Sequence, residues 1–123
     1  MARVVHFELG ADDPERAAGF WRDAFGWHAE RWQGGAQEYW LLHTGASDGI
    51  DGGIFQRSDF PVPVSTVCTL GVPDVNAAVE AVEAAGGSVL MSRLGVPGVG
   101  WLAYCRDTEG SVFGLLQADS HAS

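Results

Sequence analysis

The chain is predicted to be an α+β protein made of two tandem βαβββ units, on three observations. An offset of 61 residues lays Gly10 on Gly71, Asp13 on Asp74, Gly26 on Gly87, Trp40 on Trp101 and Gly53 on Gly114. The same offset pairs Leu9 with Leu70, Ala17 with Ala78 and Leu41 with Leu102, so the match is not a by-product of abundant glycine. Each half also carries the same order of strand and helix signals. Finally, 123 residues suit one domain. A half of about 60 residues buries too little surface to stand alone easily, so the two copies are expected to share a core.

In the first copy, residues 3–57, Val4 to Leu9 alternates like a strand. Asp13-Pro14-Glu15 then supplies an N-cap, a proline at the first helical position and an acidic first turn. Ala17, Phe20, Trp21, Ala24 and Phe25 make one apolar helix face, and Gly26 ends the helix. Strands are expected at Trp27–Gln33, Gln37–Thr44 and Gly53–Arg57, separated by Gly34-Gly35 and by Gly45–Gly49.

The second copy, residues 64–118, repeats the pattern with a strand at Val64–Leu70 and a helix opened by Pro73-Asp74 and running through Ala85. Gly86-Gly87 closes that helix, and strands are expected at Ser88–Arg93, Val99–Arg106 and Ser111–Gln117. Two prolines in Ser58–Pro63 favour an extended link between the copies.

Composition narrows the function. Seven Lys+Arg against 16 Asp+Glu give a net charge of −9, which repels phosphate backbones and anionic membranes. Neither nucleic acid nor membrane is expected as a partner. His6 and Glu8 interrupt the N-terminus before a signal-peptide apolar region forms, so a cytoplasmic location is expected. Cys68 and Cys105 show no metal or redox spacing; both are read as reduced core residues, with a disulfide as the alternative.

The paired units, with "VVHFELGADDPERAAGFWRDAFGW" near the start and "VEAAGGSVLMSRLGVPGVGWLAYCRDTEGSVFGLLQ" near the end, resemble the vicinal oxygen chelate superfamily of glyoxalase, bleomycin-resistance and ring-cleaving dioxygenase proteins. The likeness covers residues 3 to 118 and is strongest to small glyoxalase-like proteins, through "PGVGW" and "DTEG". It implies a curved mixed sheet forming a cup with the helices on the outside, and a homodimer. In metal-dependent members the first and last strands of each unit supply up to four ligands. Those positions here are His6, Gly53, Val67 and Gly114, of which only His6 has a donor side chain. Neither a metal nor another cofactor is therefore expected, since stable protein sites need three or four ligands.

Glu8 shares a strand face with His6 and differs in kind from its repeat partner Thr69, as His6 differs from Val67. Trp40, Trp101, Tyr39, Tyr104, Phe55 and Phe113 fall on cup strands, where alternation puts some inside and the rest beneath the helices. His28 and His43 lack ligand spacing, and His121 is assigned to a frayed tail. The expected function is binding of a small organic ligand, with His6 and Glu8 as polar anchors and Trp101 and Tyr104 as walls. The alternative is a lyase, isomerase or dioxygenase-type enzyme of the same superfamily, with an atypical site around His6 and Glu8.

Overall fold

A computed structural model describes residues 1–123. The elements are β1 (Arg3–Ala11), α1 (Pro14–Phe25), β2 (His28–Arg31), β3 (Tyr39–His43), β4 (Gly52–Gln56), a 3-10 turn (Arg57–Asp59), β5 (Thr66–Gly71), α2 (Val75–Ala84), β6 (Ser88–Val96), β7 (Gly100–Arg106) and β8 (Val112–Ala118). The order is βαβββ twice, and the class is α+β.

Capping sets the helix ends. The Asp13 carboxylate accepts from the Arg16 amide at 3.1 Å, and Gly26 closes α1 at φ 73° with its amide on the Arg22 carbonyl. A left-handed residue is needed there, which glycine adopts without a Cβ clash. Asp74 caps α2 by accepting from the amides of Asn76 and Ala77 at 2.9 and 3.2 Å.

The chain divides into two compact units, His6–Val67 and Cys68–Ser123, the latter also taking in Met1–Val5. In the N-terminal unit the strand order is β2-β3-β4-β1, antiparallel except for the parallel pair β1–β4. The C-terminal unit has the same plan, β5-β8-β7-β6 with β5–β8 parallel. One register differs. Leu41 faces Gly53, but its repeat partner Leu102 faces Leu116 and Tyr104 takes the place opposite Gly114. A slip of two residues keeps every side chain on its own face.

Buried apolar side chains form a cluster under each helix. Under α1, Ala11, Ala18, Leu42 and Ile54 pack with Phe7, Leu9, Trp21, Trp27 and Trp40. Under α2, Val75, Ala103, Cys105 and Leu115 pack with Leu70, Val79, Val82, Trp101 and Phe113. Each four-stranded sheet therefore has a helix face and an open face.

Three expectations are corrected. β2 stops at Arg31, short of Gln33, because the next residues wrap around the Trp32 indole: a Cβ on Gly34 would overlap that ring, and one on Gly35 would lie 3.1 Å from it. Cys68 is exposed, two residues before Leu70, the β5 side chain on the same face that packs in the cluster under α2; Cys105 is buried, and both thiols are free. The C-terminus is folded back. Gly98 donates its amide to the Ala122 carbonyl at 3.1 Å, His121 donates its amide to the Asp119 carboxylate at 2.9 Å, and Ala122 is buried.

Ile54 is fully enclosed beneath α1. Ile54→Ala removes buried methylenes and leaves a cavity, so it should lower the unfolding free energy by about 2–5 kcal/mol in a urea titration.

Candidate functional site

β1 alternates so that Phe7, Leu9 and Ala11 face α1 while His6, Glu8 and Gly10 take the open face. On β3 and β4, Trp40, Leu42 and Ile54 go under the helix, which leaves Tyr39, Leu41, Gly53 and Phe55 on the open side. Register puts Glu8 beside Gly53 and Tyr39 beside Phe55. Tyr39 then leans diagonally back across β4. A Cβ on Gly53 would overlap its hydroxyl, and a Cβ on Gly10 would come within 3.0 Å of the Phe55 ring. The two glycines are seats for two rings.

The lean joins three polar groups. The Tyr39 hydroxyl donates to Glu8 Oε2 at 2.9 Å and lies 2.9 Å from His6 Nε2. With its proton given to the carboxylate, the hydroxyl accepts from His6, which fixes the Nε2–H tautomer and leaves the lone pair on Nδ1. Burial lowers the His6 pKa below 6.5, outweighing the opposing pull of Glu8 and Asp51, so the imidazole is neutral at pH 7. Glu8 itself is buried, 8% exposed.

Beyond the Tyr39 ring lies a cavity of about 440 Å³ lined by Trp32, Gly35, Ala36, Gln37, Glu38, Tyr39, Phe55 and Asp59. Trp32 meets Tyr39 edge to face, with centroids 6.0 Å apart at 74°. Glu38 accepts from the Trp40 indole at 3.1 Å and lies 3.9 Å from the Arg31 guanidinium.

Further along the open face, His43 Nε2 lies 3.2 Å from Glu30 and its Nδ1 lies 3.5 Å from Asp51. His28 stacks on His43 at 5.6 Å. The Glu30 hydrogen bond raises the His43 pKa, and the amide of Thr44 with the His43 contact lowers that of Asp51.

The four residues expected from sequence are placed differently. His6 and Glu8 come together through Tyr39. Tyr104 is buried on the open face of the C-terminal unit, its ring 3.3 Å from where a Gly114 Cβ would stand. Trp101 lies on the opposite face of β7, in the cluster under α2, where its indole donates to Asp119 at 3.0 Å and the Arg93 guanidinium sits 4.5 Å over its ring. The alternation of Trp101, Ala103 and Cys105 is what carries it there. Tyr39 as the bridge, and Trp32 as a wall, were not singled out; the glycine opposite β3 at position 53 was the available signal.

The donors do not fit the metal site of the superfamily. Gly53, Val67 and Gly114 offer no side-chain ligand, His6 and Glu8 turn their facing atoms to Tyr39, and no three His, Cys, Asp or Glu side chains converge to hold an ion.

A family model described as a glyoxalase-like domain matches residues 5–116. A hypothetical protein from Bacillus halodurans C-125 shares the fold with a TM-score of 0.73 at 9% identity, over 99% of this chain and 98% of its own. Methylmalonyl-CoA epimerase from Streptomyces coelicolor, solved with 2-nitronate-propionyl-CoA, gives 0.67 at 18% identity over 98% and 97%. The epimerase from Mycobacterium tuberculosis gives 0.66 at 16% over 94% and 87%. No curated protein matches the chain in sequence.

Two outcomes follow from the bridge. Because the folded pKa of His6 is lowered, the unfolded chain binds more protons between 6.5 and that lower value, and stability is lost as pH falls through this window. The raised pKa of exposed His43 acts oppositely and weakly, its contribution being full below 6.5 and lost as pH rises through the folded value. In denaturation series from about pH 7.5 to 5, the parent should therefore lose more stability than His6→Val. Tyr39→Phe, which withdraws a hydrogen bond from buried Glu8, should destabilise by about 1–3 kcal/mol at pH 7.

Proposed function

The chain belongs to the glyoxalase-like family of the vicinal oxygen chelate superfamily, and from that premise we propose that it binds a small organic molecule without a metal, in the aromatic cavity whose wall is the Tyr39 ring. One observation carries this reading: the Tyr39 hydroxyl, held between His6 and Glu8, fills the space over Gly53 where a ligating side chain would project. The groups that a metal would draw on are satisfied by one another. A cavity of about 440 Å³ with three aromatic side chains and the polar Gln37, Glu38 and Asp59 suits a small flat molecule with a polar group. Tyr39 couples that cavity to the titratable pair, so His6 and Glu8 anchor the ligand through it. Tyr104 is proposed as a wall on the open face of its own unit, and Trp101, packed under α2, is left out of the site.

The bridge also favours a second reading, an isomerase or lyase that moves a proton on the bound molecule. Neutral His6 takes the proton from the substrate carbon on its Nδ1 lone pair and returns it to the product, and the Glu8 carboxylate, bridged through the Tyr39 hydroxyl, stabilises the imidazolium in between. Such catalysis makes His6→Val inactive without weakening binding, whereas a pure binding role makes it bind less tightly.

We propose further a homodimer, supported by Phe20 and Phe25, which stand 56% and 63% exposed on α1. A cytoplasmic setting is supported by the unpaired, exposed Cys68 thiol. No helix is long and apolar enough to cross a membrane.

Elemental analysis of purified protein should give no stoichiometric zinc, nickel, iron or manganese. A thermal-shift screen of small aromatic compounds should yield ligands that, at a hundredfold excess over Kd, stabilise by about 2.7 kcal/mol. One equivalent of metal surviving mild chelation, or ligands indifferent to Trp32→Leu, overturns the assignment.

A further inference from the structure

We infer that the cavity beside Tyr39 takes a flat organic cation, held between the Trp32, Tyr39 and Phe55 rings and neutralised by Asp59 and Glu38. This rests on reading that cavity as the ligand site and adds the charge of what enters it.

The walls argue for the shape. Trp32 and Tyr39 meet edge to face at 74°, which leaves the ring faces not used in that contact to the cavity that Phe55 also lines. A ring face carries the negative lobe of the aromatic quadrupole and attracts a cation placed over it, most strongly for indole. The Trp32 indole is also held in place. In the loop that follows β2 a side chain at 34 would overlap that ring and one at 35 would press on it, so the two glycines let the backbone lie against the indole. Phe55 is fixed from behind by Phe60, whose centroid lies 5.4 Å away.

The charges argue for the sign. Glu38 and Asp59 both line the cavity, and no arginine does. Glu38 is partly discharged by Arg31 at 3.9 Å and by its bond to the Trp40 indole. Asp59 is the stronger anchor. It ends the 3-10 turn immediately before Phe60, whose ring packs on Phe55, and so stands at the mouth of the cavity with its carboxylate exposed. A chain of net charge −9 adds a long-range field of the same sign, which speeds the approach of cations and repels anions.

The test is isothermal titration calorimetry at pH 8 with three flat probes: N-methylquinolinium, neutral quinoline and anionic 1-naphthoate. N-methylquinolinium should bind about tenfold more tightly than quinoline, weaken as salt is raised, and lose that advantage in Asp59→Asn, while naphthoate should not bind. Asp59 is exposed, so the variant should fold as the parent does. Equal affinity for cation and neutral probe, with both weakened by Trp32→Leu, overturns the charge inference and leaves the cavity as the ligand site. No binding of the cation also overturns it. The cavity reading itself falls only if ligands from the broader screen ignore Trp32→Leu.

Discussion

A carboxylate withdrawn from water costs several kcal/mol unless hydrogen bonds replace its hydration, and in the N-terminal unit that carboxylate is Glu8. Its donor comes from two strands away. For the Tyr39 hydroxyl to reach Glu8 it must pass over β4, and it passes at the residue that has no side chain, Gly53. The same hydroxyl then has only lone pairs to offer His6, which sets that ring's tautomer. Glutamate 8, tyrosine 39, glycine 53 and the protonated nitrogen of histidine 6 are therefore one dependency rather than four separate features. Phe55 beside Tyr39 repeats the device over Gly10, and the two leaning rings leave the space that Trp32 encloses.

The C-terminal unit meets the same geometry with different chemistry. Gly114 occupies the equivalent strand position and again lies under a tyrosine ring, that of Tyr104. The residue equivalent to Glu8 is Thr69, whose buried hydroxyl has no hydrogen-bond partner among protein side chains and backbone. A hydroxyl tolerates this at about 1–3 kcal/mol, whereas a carboxylate would not. The two tyrosines stand at positions unrelated by the repeat, Tyr39 matching Gly100 and Tyr104 matching His43.

How much of this was legible in the sequence depends on how local its cause is. Helix ends were legible because Asp13, Pro14, Gly26 and Asp74 act within one turn of themselves. The βαβββ order was legible because glycine clusters and alternation are local too. Trp101 was placed on the open face when its alternation with Ala103 and Cys105 carries it under α2, and nothing short of knowing the buried face decides that parity. Cys68 reads as buried from its neighbours, yet it is exposed while Leu70, on the same face of β5, packs under α2. The Tyr39 bridge was invisible for a stronger reason. It links residues 31 and 33 positions apart across two registers, and its only trace in the chain is the absence of a side chain at Gly53.

The repeat itself separates scaffold from chemistry. Pairs that remain identical at the offset include Leu9 with Leu70, Ala17 with Ala78 and Trp40 with Trp101, and all six side chains pack under their own helix. On the open faces the identical pairs are Gly10 with Gly71, Gly53 with Gly114 and Leu41 with Leu102, none of which carries a polar group. Every open-face residue with a titratable or hydrogen-bonding side chain differs between the copies: His6 against Val67, Glu8 against Thr69, Tyr39 against Gly100, His43 against Tyr104. Under the helices the constraint is volume and shape, which these three pairs meet with the same residue and others meet with different apolar ones, Leu42 against Ala103 and Ile54 against Leu115. On the opposite face of the N-terminal unit histidine, glutamate and tyrosine are held to one another, an arrangement that valine, threonine and glycine at the equivalent positions of the other copy cannot form.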